Sequence, residues 1–149
     1  LTNKKTLING LLWGLGGYAA FFVAPGLGLH PEIPGSESAA LEGRQSWWLL
    51  TVTLTIVGLS LIAFGKGYLR FTALLLFAIP FIIGAPQPEA PGFANSAPDA
   101  IAALTSLESQ FIQTTVVVNG LFWIALGLLC SLCLTYLFKM PEEPGLEAS

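Results

Sequence analysis

Thr114-Thr115-Val116-Val117-Val118-Asn119-Gly120-Leu121-Phe122-Trp123-Ile124-Ala125-Leu126-Gly127-Leu128-Leu129-Cys130-Ser131-Leu132-Cys133-Leu134-Thr135-Tyr136-Leu137-Phe138 holds no Asp, Glu, Lys or Arg. As an α-helix these residues would rise roughly 37 Å, more than the ~30 Å hydrocarbon core of a bilayer. Lipid cannot hydrogen-bond a backbone, so such a run must be helical to satisfy its own amides. Three further apolar runs precede it, at residues 6–29, 46–65 and 69–85, with Arg70 at the edge of the last. Composition agrees. Only 10% of the 149 residues are charged and 54% are hydrophobic, with a mean hydropathy of +0.72. A soluble domain carries about 25% charged residues, and six Lys/Arg with nine Asp/Glu cannot cover one. The sequence predicts an all-α, polytopic transmembrane helical bundle: one domain, four spans and an outer interfacial amphipathic helix.

Charge placement predicts the orientation. Lys4 and Lys5 precede the first span, Lys66 and Arg70 flank the short turn 66–68, and Lys139 follows the fourth. Four crossings put these five cations on one side and Arg44 alone on the other. The positive-inside rule then places both ends, including the tail 139–149, in the cytoplasm, with loops 30–45 and 86–113 outside. Trp13, Trp47, Trp48 and Tyr136 lie toward span ends, as an aromatic belt requires, whereas Trp123 is expected to pack between helices. The third span is short and contains Pro80, so it should bend or thin the bilayer. The opening Leu1-Thr2-Asn3-Lys4-Lys5 is not a complete signal peptide, and further membrane sequence is expected upstream.

The first outer loop is turn-rich through Pro31, Pro34 and Gly35, and the second helix can begin early, from Ser38 onward. The second outer loop carries Pro86, Pro88, Pro91 and Pro98 and should stay irregular up to Asn95. Ile101, Leu104, Leu107 and Phe111 then recur at spacings of three and four, with Asp99, Glu108 and Gln110 between. That amphipathic stretch either lies on the membrane or extends the fourth span outward. Gly10, Gly14 and Gly17 permit close helix approach, read either as ordinary tight packing or as a dimer face. Asn9-Gly10-Leu11-Leu12-Trp13 echoes Asn119-Gly120-Leu121-Phe122-Trp123, as an inverted repeat would.

Few side chains offer chemistry. His30, beside Glu32, could bind a borderline divalent metal, although one loop histidine is more commonly just solvated. Glu32, Glu37, Glu42, Glu89, Asp99 and Glu108 oppose Arg44 alone and make the outer face attractive to cations; the plainer reading is that positive charge is kept inside. Cys130 and Cys133 share a helix face; they are a soft-metal or redox candidate, with core packing as the plainer reading. Asn119, Thr51 and Thr55 could line a transport path, with Asn119 facing the bundle interior. No nucleotide-binding loop, Ser/His/Asp set or acid pair is present, so no enzyme is predicted. A net charge of -3 leaves no basic patch for nucleic acid.

Five motifs together resemble one family. They are Gly14 to Phe22; Ala24-Pro25-Gly26-Leu27-Gly28-Leu29-His30-Pro31-Glu32-Ile33-Pro34-Gly35; Arg44-Gln45-Ser46-Trp47-Trp48; Ile79-Pro80-Phe81-Ile82-Ile83-Gly84-Ala85-Pro86-Gln87-Pro88; and Asn119-Gly120-Leu121-Phe122-Trp123. In this order they resemble the CbtA family of predicted cobalt transporter subunits of bacteria, from about Leu11 to Phe138. The resemblance implies a multi-pass inner-membrane protein with cobalt as substrate and no tightly bound cofactor. It implies a small single-span, His-rich CbtB-type partner, and it makes this chain the C-terminal portion of the family sequence. The family pattern has Pro where His30 stands and His where Phe81 stands, which weakens direct metal coordination by this chain. The function expected is the membrane subunit of a cobalt transport system. The alternative is a non-transporting structural subunit of a larger membrane complex.

Overall fold

A computed structural model describes residues 4–90, 92–93 and 97–138. Lys139, the tail and Asn95, which figure in the expectations above, lie outside the described residues.

The described residues are all helical apart from loops and one isolated bridge, Ser36 with Phe93. Helix α1 runs Lys4–Gly26, α2 Leu41–Phe64, α3 Leu69–Ile83 and α4 Pro98–Leu137. Three of them (α1, α2 and α4) are long and apolar enough to cross a membrane, and α3 is a shorter apolar helix. At 15 residues α3 rises about 22 Å, short of the ~30 Å core. Large apolar side chains cover the outside: Leu12, Phe64, Phe71, Leu75, Ile82, Leu121 and Leu129 are all exposed. In water that surface would be untenable; against lipid it is the expected one.

The helices form two antiparallel pairs. In the first, α1 packs along α4. A Cβ built on Gly10 would lie 2.8 Å from the Gly127 carbonyl oxygen, and one built on Gly14 would lie 2.4 Å from that of Trp123. Only glycine lets these backbones touch, so the GxxxG pair is used inside the chain. Ser131 Oγ closes the contact by donating to the Thr6 carbonyl at 2.7 Å. In the second pair, α2 packs along α3. Gly58 accepts the ring of Phe77, and the Trp47 indole N–H donates to the Pro80 carbonyl at 3.0 Å. Pro80 does not end its helix; α3 continues to Ile83 and stops at Gly84, whose φ of 85° suits glycine. Arg70 Nε donates to the Gly65 carbonyl at 2.9 Å, covering the end of α2 beside the tight turn.

Some expectations hold and others need correction. Trp47 is buried at 4% exposure, so it belongs to the α2–α3 interface rather than to a lipid-facing belt. Trp123 does pack between helices, over Gly17 and against Phe21. Its counterpart in the sequence echo, Trp13, is exposed, so the two motifs sit in unlike surroundings. The second helix begins at Leu41, close to its early expected start. Of the two readings of the amphipathic stretch, the outward extension of the fourth span is the one observed, and no separate interfacial helix forms. The stretch is continuous with the fourth span in a single 40-residue α4.

Candidate functional site

The pairs meet where α1 ends and α2 begins, at the end of the bundle that carries both long loops. Pro25 explains the local geometry. It has no N–H to give the carbonyl four residues back. The turn ahead of it, Ala19–Val23, widens to a π-helix in which the Ala24 N–H reaches the Ala19 carbonyl. Phe21 lies in that turn. It stacks on Trp123 of α4 at 5.3 Å and tilts against Trp48 of α2 at 6.3 Å. One ring thus links three helices.

Beside it lies an open hollow of ≈ 610 Å³. Phe21, Phe22, Leu41, Trp48 and Leu49 form its apolar walls, and His30, Glu32, Arg44 and Gln45 its polar rim. The structure therefore brings His30 and Glu32 to one place. They are not equally free. Glu32 Oε2 accepts Arg44 Nη2 at 3.1 Å and also the Ser38 hydroxyl. His30 is exposed and bonds to none of the described residues. Arg44 Nε is buried with no acceptor among the described residues. The two loops that flank the hollow touch, with the Glu37 N–H donating to the Gly92 carbonyl at 2.9 Å.

The other candidates do not join this cluster. Thr51 and Thr55 lie on the face of α2 that also carries Trp47 and Gly58, and both are buried. Their hydroxyls donate to carbonyls of their own helix, Thr51 to Trp47 at 2.8 Å and Thr55 to Thr51 at 2.7 Å. Asn119 belongs to the other helix pair. It is half-buried, and its amide donates to the Thr115 carbonyl at 3.0 Å. Cys130 and Cys133 are both exposed, so core packing does not account for them. Cys130 lines a second groove of ≈ 690 Å³ between α1 and α4, at the end of the bundle that carries Lys4, with Asn9, Trp13 and Ser131. Among the described residues no three of His, Cys, Asp and Glu gather as a metal site would require.

Sequence reasoning passed over the aromatic walls of the hollow. Phe21 and Phe22 read as ordinary span residues and Trp48 as part of an aromatic belt, and their convergence depends on the π turn. Pro25 was the available signal.

A family model described as probable cobalt transporter subunit (CbtA) matches residues 1–135. The chain belongs to the CbtA family. It is a membrane subunit of a cobalt transport system, and cobalt is the substrate which that family implies. No curated protein and no solved structure matches the chain significantly. The family match covers both helix pairs, including the five motifs and the whole rim of the hollow.

Proposed function

We propose that this CbtA chain is a non-enzymatic subunit that admits Co²⁺ from outside, in a bacterial inner membrane, with its ends in the cytoplasm. The observation that carries the reading is the family match over residues 1–135. Loop chemistry supports it. The segments assigned to the outside carry six carboxylates and one arginine, a balance that raises the local cation concentration. His30 offers an unengaged imidazole at the rim, a donor suited to Co²⁺. Glu32 can join it only when its pairing with Arg44 opens.

Beyond the rim, Asn119, Thr51 and Thr55 are the path residues proposed. Each is hydrogen-bonded to a helix carbonyl and the two sets sit on different helix pairs. A cation would reach them where neighbouring membrane subunits open the bundle, and a single-span His-rich subunit of the CbtB type is the partner this reading requires. The test is accumulation of radioactive Co²⁺ in cells carrying the protein and its partner, against cells lacking both. Uptake should rise, and His30→Ala should raise the half-saturating concentration with little change in maximal rate. Equal accumulation, with the protein shown in the membrane, would refute the proposal.

A further inference from the structure

Helix α4 is too long for the membrane it crosses. Its 40 residues rise about 60 Å, twice the ~30 Å hydrocarbon core. The glycine contacts fix its register on α1, with Gly10 against Gly127 and Gly14 against Trp123. Carried onward, that antiparallel register sets Gly26, the end of α1, level with Phe111. Residues 98–110 therefore project about 20 Å past the end of α1. From Thr6 to Gly26, α1 itself rises about 30 Å, the thickness of the core. The projection thus lies among headgroups and water.

One face of α4 stays free of charge across that boundary. Leu104, Leu107, Phe111, Thr114, Val118 and Leu121 follow one another at alternating spacings of three and four. At 100° per residue they lie on the side of α4 opposite Gly127, away from α1. Leu107, Phe111, Val118 and Leu121 are exposed, and the Thr114 hydroxyl bonds to none of the described residues. On the projecting part the opposite face is polar, with Thr105, Ser106 and Ser109. Lipid chains cover Val118 and Leu121, but they do not follow the face out to Leu104 and Leu107. A lipid-facing surface needs no particular period, whereas an average spacing of 3.5 keeps a seam turned toward a second helix. The same seam on both sides of the boundary calls for a partner helix that crosses it likewise. Copies of this chain share one orientation in the bilayer, so a two-fold axis along the membrane normal sets their α4 helices parallel, seam on seam and in register. Glu108 flanks the seam and would face the Ala103 position of the other copy, so no like charges meet. We propose that two copies of this chain associate through α4, as a parallel coiled coil running from the hydrocarbon into the outer aqueous phase.

The test is disulfide cross-linking of the full chain in its own membrane, without cobalt, so that the outcome is independent of uptake. Single cysteines are introduced where Cys130 and Cys133 have been replaced by Ser. Leu107→Cys, Phe111→Cys and Thr114→Cys should each give a product with the mass of two chains. Thr105→Cys and Ser109→Cys, on the opposite face, should give at least about tenfold less, because their Cα atoms would lie beyond disulfide reach. Leu107→Glu alters an exposed residue outside both helix pairs and sets two like charges against each other across the seam. It should raise the dissociation constant of the dimer at least about tenfold, measured by sedimentation in mild detergent. Tryptophan fluorescence like that of the parent checks that this variant is folded, and the cysteine series carries the test if it is not. No cross-link at the seam positions, equal cross-linking on both faces, or a product of any other mass would overturn the proposal. So would a dimer unchanged by Leu107→Glu.

Discussion

Replacing Gly127 by Ala should unpin α1 from α4, while the same replacement at Gly16 should do no harm. A Cβ at Gly127 would meet the Gly10 carbonyl oxygen at 2.3 Å and the Gly14 backbone at 2.7 and 2.8 Å. Ordinary contact begins at 3.4 Å, so the helices must part by about 1.1 Å. All three contacts are backbone and cannot rotate away. Overpacking of this kind costs about 1–3 kcal/mol. The separation also strains the bond from Ser131 Oγ to the Thr6 carbonyl, worth about 0.6 kcal/mol for an average interhelical bond in a membrane. Against this, Ala gains about 1 kcal/mol over Gly in helix propensity. The net expectation for Gly127→Ala is a loss of about 0.6–2.6 kcal/mol. Gly16 has nothing within 4 Å of its built Cβ, so only the propensity gain of up to about 1 kcal/mol applies there. Equilibrium unfolding by dodecyl sulfate in mixed micelles, followed by tryptophan fluorescence, measures both. The signs should be opposite. A Gly127→Ala protein as stable as the parent would refute the close packing of α1 on α4, and equal losses at both positions would refute the site-specific argument.

Gly58→Ala should cost less than Gly127→Ala, because its Cβ meets the Phe77 ring at 2.4 Å rather than backbone; adding Phe77→Leu should recover most of the loss in the same unfolding assay. Trp47→Phe removes the indole donor to the Pro80 carbonyl and should lower stability by about 1 kcal/mol, read as a fall in melting temperature in detergent. Cys130 and Cys133 should both react with N-ethylmaleimide in the folded, detergent-solubilised protein, since both are exposed; mass spectrometry showing a single adduct under native conditions would contradict their placement. Cysteine placed at His30 should be labelled from outside intact cells by an impermeant maleimide and cysteine placed at Lys66 should not, in a background with Cys130 and Cys133 replaced by Ser; the reverse pattern would invert the orientation.

The apolar runs alone determined that this chain is helical and lives in lipid, because a charge-poor segment of bilayer length has few other ways to satisfy its backbone. They placed the first three helices to within five residues and the fourth only in part, since α4 begins at Pro98 rather than Thr114, and the small residues Gly10, Gly14 and Gly17 signalled close packing. Partners were another matter. Thr51 and Asn119 look alike as polar residues at membrane depth, yet the first is sealed between α2 and α3 and the second sits on α4, each bonded to its own helix. Hydropathy cannot distinguish Trp47, buried against Pro80, from Trp13, exposed on α1, since a lipid-facing and a helix-facing tryptophan are equally apolar in a chain surrounded by hydrocarbon. The tertiary structure decided which faces meet, and with them the hollow. It exists because a proline-induced π turn swings Phe21 and Phe22 toward Trp48, and because residues 30–38 fold back to set Glu32 on Arg44. Those are contacts between segments far apart along the chain, fixed by packing geometry and invisible to the local periodicity that places a helix.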